Sequence, residues 1–323
     1  MIPGFRGSPW PSIVLGTNLD FQKRLQELAA RIHQGFAHVT VREAMNELYL
    51  WIQEQTGISS LKLRVDPPQF DEIIWESLET FANQRSIGMP FAYILGRVEF
   101  YGLELSIGPG VLIPRPETEE LTDRATAALE PALAASDSVR VLDLCCGSGC
   151  IGIGLANGIS RILDKLSHKC TVEIDLSDLS GYALEYAREN ARKHTFPNIV
   201  YRHFQGDLME PIRKAGSLPY DLIVCNPPYI HPREVSLMSA ETALHEPADA
   251  LYHPDPPALY LKILKEIRPF LRPGGMAILE LSPFIADVVQ LLCESEFERC
   301  QCSIDTDLSG KKRYLIFACK QPV

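Results

Sequence analysis

Apolar stretches of strand length alternate with helical stretches from residue 139 onward, and this alternation restricts the possible folds more than any other feature. The strand-like stretches cover residues 139–145, 170–178, 199–207, 220–226 and 274–281. The helical stretches between them cover residues 150–167, 181–194 and 257–271. Continuously apolar strands separated by helices form parallel sheets with helices on both faces. We therefore predict a doubly wound α/β domain.

The chain ends with two strand-like stretches that have no helix between them. Residues 298–306 and 313–320 are joined by a short turn around Gly310, and a short turn makes neighbouring strands antiparallel. Together with the five earlier strands, this pair makes a seven-stranded sheet whose last strand is antiparallel. That is the Rossmann-like architecture of class I S-adenosylmethionine-dependent methyltransferases.

The first third of the chain predicts a different organisation. Apolar residues at helical spacing, a capping box at Thr40–Glu43 and a third helix expected to begin at Asp66 indicate a small all-α domain. Frequent glycines and alternating apolar residues then indicate a β-hairpin. We divide the chain into an extended leader (1–18), an N-terminal helical domain (19–87), a β-hairpin linker (88–116) and the methyltransferase domain (117–323).

Charge and cysteine content argue against several classes of function. Lys and Arg number 31 against 41 Asp and Glu, which gives a formal net charge of −10, whereas a domain that binds nucleic acid over a broad face is normally basic. The nine cysteines lack the paired spacing of a zinc site, so we expect reduced thiols, no metal and a cytoplasmic location. No apolar run reaches the length of about 18 residues that a membrane span needs.

A glycine-rich turn, VLDLCCGSGCIG at 141–152, follows the first strand of the α/β domain. Its glycines fit the dinucleotide pattern G-x-G-x-x-G, but Asp143 stands four residues before the first of them. An acidic side chain there suits a positively charged amine better than a pyrophosphate, and S-adenosyl-L-methionine carries an amine and a sulfonium but no phosphate. We therefore predict this cofactor, held by Asp143, Gly147, Ser148 and Gly149, whose glycines let the backbone pass close to the ligand.

Carboxylates at the ends of the next two strands extend the predicted cofactor site. A ribose diol needs an acceptor at the end of the second strand, and the sequence offers Asp175 and Asp178 there. We favour Asp178, with Leu179 beside it, and expect Asp175 to be a solvated or capping acid. Asp207 closes the third strand, where a carboxylate or a nearby backbone amide reads the amino group of adenine.

The strongest motif is Asn226-Pro227-Pro228-Tyr229 at the end of a central apolar strand. Two prolines fix the backbone and remove two N–H donors, which leaves an exposed carbonyl, a side-chain amide and an aromatic ring. We expect Asn226 Oδ1 and the Pro227 carbonyl to accept the two hydrogens of a planar NH2 group, with Tyr229 packed on its face. The motif alone does not distinguish a glutamine amide from the amino group of adenine.

A longer stretch is more specific. Residues 88–121, with the segment IPRPETEEL at their end, closely resemble the linker of the HemK/PrmC family of release factor glutamine methyltransferases. The resemblance runs from about residue 20 to the C-terminus and includes VLDLCCGSG, DLSGYALEYARENA, YDLIVCNPPYI, HEPADAL and DLSGKKRYL. Adenine methyltransferases share the Asn-Pro-Pro-Tyr motif but not IPRPETE.

The resemblance implies a specific reaction and partner. The acceptor is the glutamine in the Gly-Gly-Gln motif of peptide chain release factors, and the helical domain grips the release factor. Phe100 matches the hairpin aromatic near that glutamine. The residues that match the segment lining the cofactor entrance are Arg115, Glu117, Thr118 and Glu119. The same segment also fits the start of a helix at Pro116. The implied partner is a protein rather than nucleic acid or a membrane, and we expect a monomer.

Three alternatives remain open at this point. The first is methylation of a glutamine in a ribosomal protein, which the sequence distinguishes poorly from methylation of a glutamine in a release factor. A nucleic-acid adenine methyltransferase is disfavoured by the net charge and by IPRPETE. A non-catalytic scaffold is disfavoured because Asp143, Asn226 and Tyr229 are all retained.

Overall fold

The computed structural model describes residues 18–166, 169–298 and 300–319 of the chain. These residues form two compact units, one up to Leu95 and one from Gly96 onward. The predicted leader at 1–18 lies outside the described residues except for Asn18, with which the first helix begins. Among the described residues, no helix combines the length and the apolar character needed to cross a membrane.

The first unit is helical. Its helices are α1 (Asn18–Gly35), α2 (Val41–Thr56), α3 (Ser60–Val65), α4 (Glu72–Ser86) and α5 (Phe91–Leu95). The predicted capping box is confirmed, because the Thr40 hydroxyl accepts from the Glu43 N–H at 3.2 Å and Glu43 Oε2 accepts from the Thr40 N–H at 2.8 Å. α2 ends at Gly57 in the left-handed conformation (φ 72°), which glycine adopts without a steric penalty.

The prediction that a helix begins at Asp66 is wrong. Asp66 follows the end of α3, and its N–H donates back to the Lys62 carbonyl at 2.8 Å. The next helix, α4, begins after Asp71, whose Oδ1 accepts from the Ile74 N–H at 3.1 Å. Both aspartates satisfy the rules for a helix cap, so the buried face decides, and α4 buries Trp75, Leu78 and Phe81 while Ile73 is exposed.

The second unit begins with the predicted hairpin. β1 (Arg97–Phe100) and β2 (Leu103–Ser106) pair in antiparallel register. Between them, Tyr101 and Gly102 have φ values of 52° and 72°, as a two-residue hairpin turn requires. The range 88–116 therefore contains α5 as well as the hairpin, and its role as a linker stays a prediction.

An irregular segment leads from the hairpin to α6 (Pro116–Ala135). Pro116 occupies the first turn of this helix, with Glu117 and Glu119 beside it. Proline suits this position because its missing N–H would have no partner within the helix, and acidic side chains there interact favourably with the helix dipole. The helix start predicted from RPETE is confirmed.

Seven strands form the central sheet of the second unit. They are β3 (Ser138–Leu144), β4 (Thr171–Asp178), β5 (Ile199–Gln205), β6 (Tyr220–Cys225), β7 (Leu271–Glu280), β8 (Cys300–Thr306) and β9 (Lys312–Cys319). Their order in the sheet is β5-β4-β3-β6-β7-β9-β8. Pairing is parallel from β5 to β7, and β9 is antiparallel to both of its neighbours. The predicted class I methyltransferase sheet is confirmed.

Helices cover both faces of this sheet. Besides α6 they are α7 (Cys150–Leu163), α8 (Gly181–Lys193), α9 (Glu210–Lys214), α10 (Ala240–His245), α11 (Ala248–Leu251), α12 (Pro256–Ile267) and α13 (Ala286–Glu296). One apolar core contains α6, α7 and α8, and another contains α9, α12 and α13. Because the chain moves from β3 to β5 in one direction and returns to β6 on the other side of β3, the order reverses between β3 and β6. Ligands of open α/β sheets bind at this reversal.

Candidate active site

A cavity of about 810 Å³ opens at the carboxyl ends of β3, β4, β5 and β6, where the strand order reverses. The residues that line it fall within 110–118, 144–151, 177–183, 206–208, 226–228 and 247–262. A concave site of this size holds a small organic ligand.

The glycine-rich turn between β3 and α7 forms one wall of the cavity. Gly147 and Ser148 line it, and Gly147 has a φ of 55°. Gly149 does not line the cavity but serves as the N-terminal cap of α7, with a φ of 78°. A Cβ atom at Gly149 would come within 3.2 Å of the Ala187 side chain. Gly149 therefore shapes the turn, whereas Gly147 and Ser148 form part of the cavity surface.

Asp143 is completely buried and does not line the cavity. Its Oδ2 accepts from the Gly152 N–H at 2.8 Å, which ties the end of β3 to the first turn of α7. Burial raises the pKa of Asp143 to about 8, and its Oδ1 has no hydrogen-bond partner among the residues that the structure describes. This geometry gives Asp143 a role in holding the turn, and its contact with a cofactor amine stays a prediction.

Asp178 stands at the cavity wall, where β4 ends. Its Oδ2 accepts from the Gly147 N–H and its Oδ1 from the Ser180 N–H, both at 2.8 Å. Burial raises its pKa, and these backbone hydrogen bonds oppose that rise. Each carboxylate oxygen has two lone-pair sites, so acceptor capacity remains for the hydroxyl groups of a ligand. Leu179, beside it, also lines the cavity.

The alternative acid, Asp175, lies away from the cavity. Its Oδ1 accepts from Arg202 Nε at 2.7 Å, and its Oδ2 accepts from Arg202 Nη2, the Tyr220 hydroxyl and Arg140 Nη2 at 2.8, 2.5 and 3.3 Å. Asp175 has no exposed surface, so the expectation of a solvated or capping acid is wrong. Asp175 and Asp178 are three residues apart on one strand, and side chains at that spacing point to opposite faces.

Asp207 lines the cavity just after β5, as does Lys262 from α12. The Asp207 Oδ2 and Lys262 Nζ atoms are 2.9 Å apart, with about half of each side chain exposed. An ion pair this exposed is weakly held, so a ligand that donates hydrogen bonds can share or replace it.

The Asn226-Pro227 dipeptide borders two cavities. Asn226, Pro227 and Pro228 line the main cavity. A second cavity of about 180 Å³ is lined by Asn226, Pro227 and Tyr229, and the two cavities also share Leu112 and Ala250. The predicted substrate motif therefore forms a wall with a larger space on one side and a smaller space on the other.

A hydrogen-bonded network stands behind this wall. Asn226 Nδ2 donates to Thr118 Oγ1 at 3.4 Å, and Thr118 Oγ1 donates to Glu280 Oε2 at 2.8 Å. The Tyr229 hydroxyl donates to Glu280 Oε1 at 2.9 Å. Burial raises the pKa values of Glu280 and of the Tyr229 hydroxyl. The network fixes the motif to the start of α6 and the end of β7.

Some residues of the segment IPRPETE line the main cavity and another lines the second one. Thr118 lines the main cavity, whereas Arg115 lines the second one and pairs with Glu246 at 2.5 Å. Glu246 Oε2 also accepts from the Ile113 N–H at 3.1 Å. Glu117 lines neither cavity, and its carbonyl accepts from the Tyr314 hydroxyl at 2.8 Å. The Arg115–Glu246 pair thus joins two segments at the second cavity.

Phe100 lies apart from both cavities, and its proximity to the substrate stays a prediction. Phe100 is 1% exposed and lines neither cavity. A Cβ atom at Gly154 of α7 would come within 3.2 Å of the Phe100 ring, so the ring packs closely against this helix. Because the last residue of β1 faces inward, its aromatic side chain belongs to the apolar core of the second unit.

Sequence reasoning missed several residues of the site. Val111 and Leu112, from the segment after the hairpin, line the main cavity together with Tyr182 and Lys262. Glu280 was also missed. The available signal was its position, since an acidic residue at the end of an apolar strand is unusual. Among the described residues, no group of three or more His, Cys, Asp or Glu side chains is arranged to hold a metal.

Comparison with known proteins identifies methyltransferases as the relatives of this chain. Residues 118–254 match the family model described as "Methyltransferase small domain". The chain is 33% identical to the release factor glutamine methyltransferase of Bacillus subtilis, over 83% of this chain and 89% of that protein. The proteins of the same name from Chlorobaculum tepidum and Thermodesulfovibrio yellowstonii are 32% and 30% identical. These matches cover 84% and 77% of this chain and 89% and 86% of the two relatives.

Proposed function

The chain belongs to the release factor glutamine methyltransferase family, and we propose that it methylates the glutamine of the Gly-Gly-Gln motif in peptide chain release factors. The methyl group comes from S-adenosyl-L-methionine and goes to the side-chain amide nitrogen. The observation that carries this proposal is the position of Asn226 and Pro227 in the wall between two cavities. The methyl donor in the larger cavity and the substrate amide in the smaller one then meet at Asn226 and Pro227, whose oxygen atoms can accept from an NH2 group.

The residues of the main cavity fit this cofactor. We assign the ribose hydroxyls to Asp178, which keeps acceptor capacity beside two backbone contacts. We assign the adenine amino group to the neighbourhood of Asp207, and the rest of the molecule to the surface of Gly147 and Ser148. The cofactor, when bound, supplies an electrophilic methyl group on a positively charged sulfur. The acidic side chains along this cavity suit a ligand with net positive charge.

The acceptor side of the wall is suited to a planar amide. An amide nitrogen is a weak nucleophile because its lone pair is delocalised. Asn226 Oδ1 and the Pro227 carbonyl accept its two hydrogens, which raises electron density on the nitrogen and directs it toward the methyl group. The Tyr229 ring packs on the face of the amide. Catalysis of this kind depends on position and electrostatics, and the proton leaves the nitrogen after transfer.

Replacing Asp178 by alanine should weaken binding of S-adenosylmethionine. Hydrogen bonds to charged groups contribute about 1.5–3 kcal/mol each, so we expect a dissociation constant roughly ten to a hundred times higher. Isothermal titration calorimetry with S-adenosylhomocysteine measures this directly. An unchanged dissociation constant in a folded Asp178→Ala protein would place the ribose acceptor elsewhere.

The reaction is tested by incubating the purified protein with methyl-labelled S-adenosylmethionine and one acceptor at a time. The acceptors are a release factor, the same factor with the Gly-Gly-Gln glutamine replaced by alanine, ribosomal proteins and DNA. We expect label on the release factor, lost on the glutamine replacement. Label on a ribosomal protein would keep the chemistry and change the partner, and label on DNA would contradict the proposal.

The setting of the reaction follows from its substrate. Release factors act in translation, so we propose a cytoplasmic location. We also propose that the active form is a monomer.

A further inference from the structure

Glu280 is a buried carboxylate that lines neither cavity yet contacts a residue of each. It ends β7 with 1% of its surface exposed. Its Oε2 accepts from the Thr118 hydroxyl at 2.8 Å and its Oε1 from the Tyr229 hydroxyl at 2.9 Å. Thr118 lines the main cavity and Tyr229 the second one. One acid therefore holds a side chain on each side of the wall.

The Thr118 hydroxyl decides the orientation of the Asn226 amide. A threonine hydroxyl has one hydrogen to donate, and an ionised Glu280 can only accept, so this hydrogen goes to Glu280. Thr118 Oγ1 then accepts from Asn226 Nδ2 at 3.4 Å, and Asn226 Oδ1 is directed away from Thr118. Because the oxygen and nitrogen of an amide have nearly the same shape, such a network is what distinguishes the two orientations.

The proposed chemistry requires an acceptor at Asn226 and not a donor. A reversed amide would present Nδ2 to the NH2 group of the substrate, and two donors repel each other. A protonated Glu280 favours this reversal, since its O–H would donate to Thr118 and Thr118 would then donate to Asn226 Oδ1. The charge on Glu280 therefore determines whether the wall is competent to bind an amide.

We propose that Glu280 is a positioning residue for methyl transfer, which acts through Thr118 to hold Asn226 Oδ1 toward the acceptor nitrogen and through the Tyr229 hydroxyl to hold the ring. The proposal rests on the proposed function, since it concerns the same acceptor site. Glu280 touches no reacting atom, and its effect on the rate passes through Asn226 and Tyr229.

The first test compares two matched variants of α6. Thr118→Val removes the link between Asn226 and Glu280 while keeping the shape of the side chain. Thr126→Val, two turns later, removes a buried hydroxyl that donates to the Thr122 carbonyl at 2.8 Å. We expect kcat on the release factor to fall roughly tenfold or more in Thr118→Val, since small losses of alignment reduce rates strongly. Thr118→Ser should restore most of that rate, and the affinity for S-adenosylhomocysteine should change far less than kcat.

The second test uses the pH dependence of kcat. Burial raises the pKa of Glu280, whereas hydrogen bonds from Thr118 and Tyr229 and the Arg313 guanidinium lower it. The titratable groups that face it are Glu117 of α6, Cys150 of α7, Tyr229 after β6, Tyr260 of α12, and Arg313 and Tyr314 of β9. As the pH falls through its raised pKa, Glu280 becomes neutral and kcat should decline. Glu280→Gln does not titrate, so this decline should be absent in that variant.

Two results would overturn the positioning role: equal kcat values for Thr118→Val and Thr126→Val, or a wild-type acid decline in Glu280→Gln. A wild-type protein that labels no release factor would contradict the proposed function instead. The inference is then decided by nuclear magnetic resonance of the Asn226 side-chain NH2 group. Its hydrogen bond to Thr118 should slow exchange with solvent roughly tenfold relative to Thr118→Val, and equal exchange rates would overturn the inference.

Discussion

Replacing Asn226 by alanine should lower kcat for methyl transfer by about 10²–10³-fold while leaving cofactor affinity nearly unchanged. Removing one preorganised oxyanion donor costs about 2.7–4 kcal/mol of transition-state stabilisation, and the amide of Asn226 plays the reciprocal part as an acceptor. The loss should appear in kcat because the Oδ1 contact matters most when the nitrogen begins to share its lone pair. It should be large because Asn226 lies in the wall that both cavities share.

Single-turnover assays with labelled S-adenosylmethionine and saturating release factor measure this effect. Asn226→Asp serves as the matched variant, since it keeps an oxygen at Oδ1 and loses the donor to Thr118. We expect its rate to lie between those of the wild type and Asn226→Ala. A turnover of Asn226→Ala within a few-fold of wild type would show that another group orients the acceptor nitrogen.

Replacing Asp175 by alanine should instead destabilise the fold, by about 3–5 kcal/mol, which is typical when one partner of a buried ion pair is removed. The change leaves the Arg140 side chain, 4% exposed, and the buried Tyr220 hydroxyl without their shared acceptor. Arg202 would lose two hydrogen bonds at 2.7 and 2.8 Å. The cofactor cavity should be unaffected because Asp175 does not line it.

Thermal unfolding followed by circular dichroism tests this prediction, and the midpoint should fall by about 10 °C for a unit of this size. Asp178→Ala is the comparison, with a smaller change in midpoint than Asp175→Ala and a large loss of cofactor affinity. If Asp175→Ala weakened cofactor binding in the folded protein while Asp178→Ala did not, the assignment of the two acids would have to be exchanged.

The fold was predictable because its signals are local and repeated. Each parallel strand is a short apolar run followed by a helical pattern, and Pro116, Thr40 and Gly57 mark helix ends by rules that need only neighbouring residues. The start of α4 was not predictable in this way, because Asp66 and Asp71 both qualify as caps. Burial of Trp75 in the tertiary structure decided between them.

Site residues were predictable from the sequence where a short motif indicates their role. They were unpredictable where their role depends on contacts with residues far away in the sequence. Asp178 and Asn226 stand at strand ends, and the sequence alone places them at one edge of the sheet. Glu280 is separated from Thr118 by 162 residues and from Tyr229 by 51, so no spacing rule connects them. The burial of Phe100 was unpredictable for a related reason, since a hairpin residue can face a ligand or the core and only packing determines which.

The position of β9 between β7 and β8 has a consequence for biosynthesis. β7 carries Glu280, and its register pairs Glu280 with Tyr314 and Leu279 with Leu315 of β9. During translation, the ribosome releases β7 well before β9, so one edge of β7 stays unpaired while the intervening helix and strand emerge. β8 is also synthesised before β9, so β8 cannot take its final place in the sheet until β9 lies between it and β7. The sheet is therefore complete only after β9 has been synthesised, and until then β7 presents an unpaired edge of the kind that makes unfinished sheets prone to aggregate.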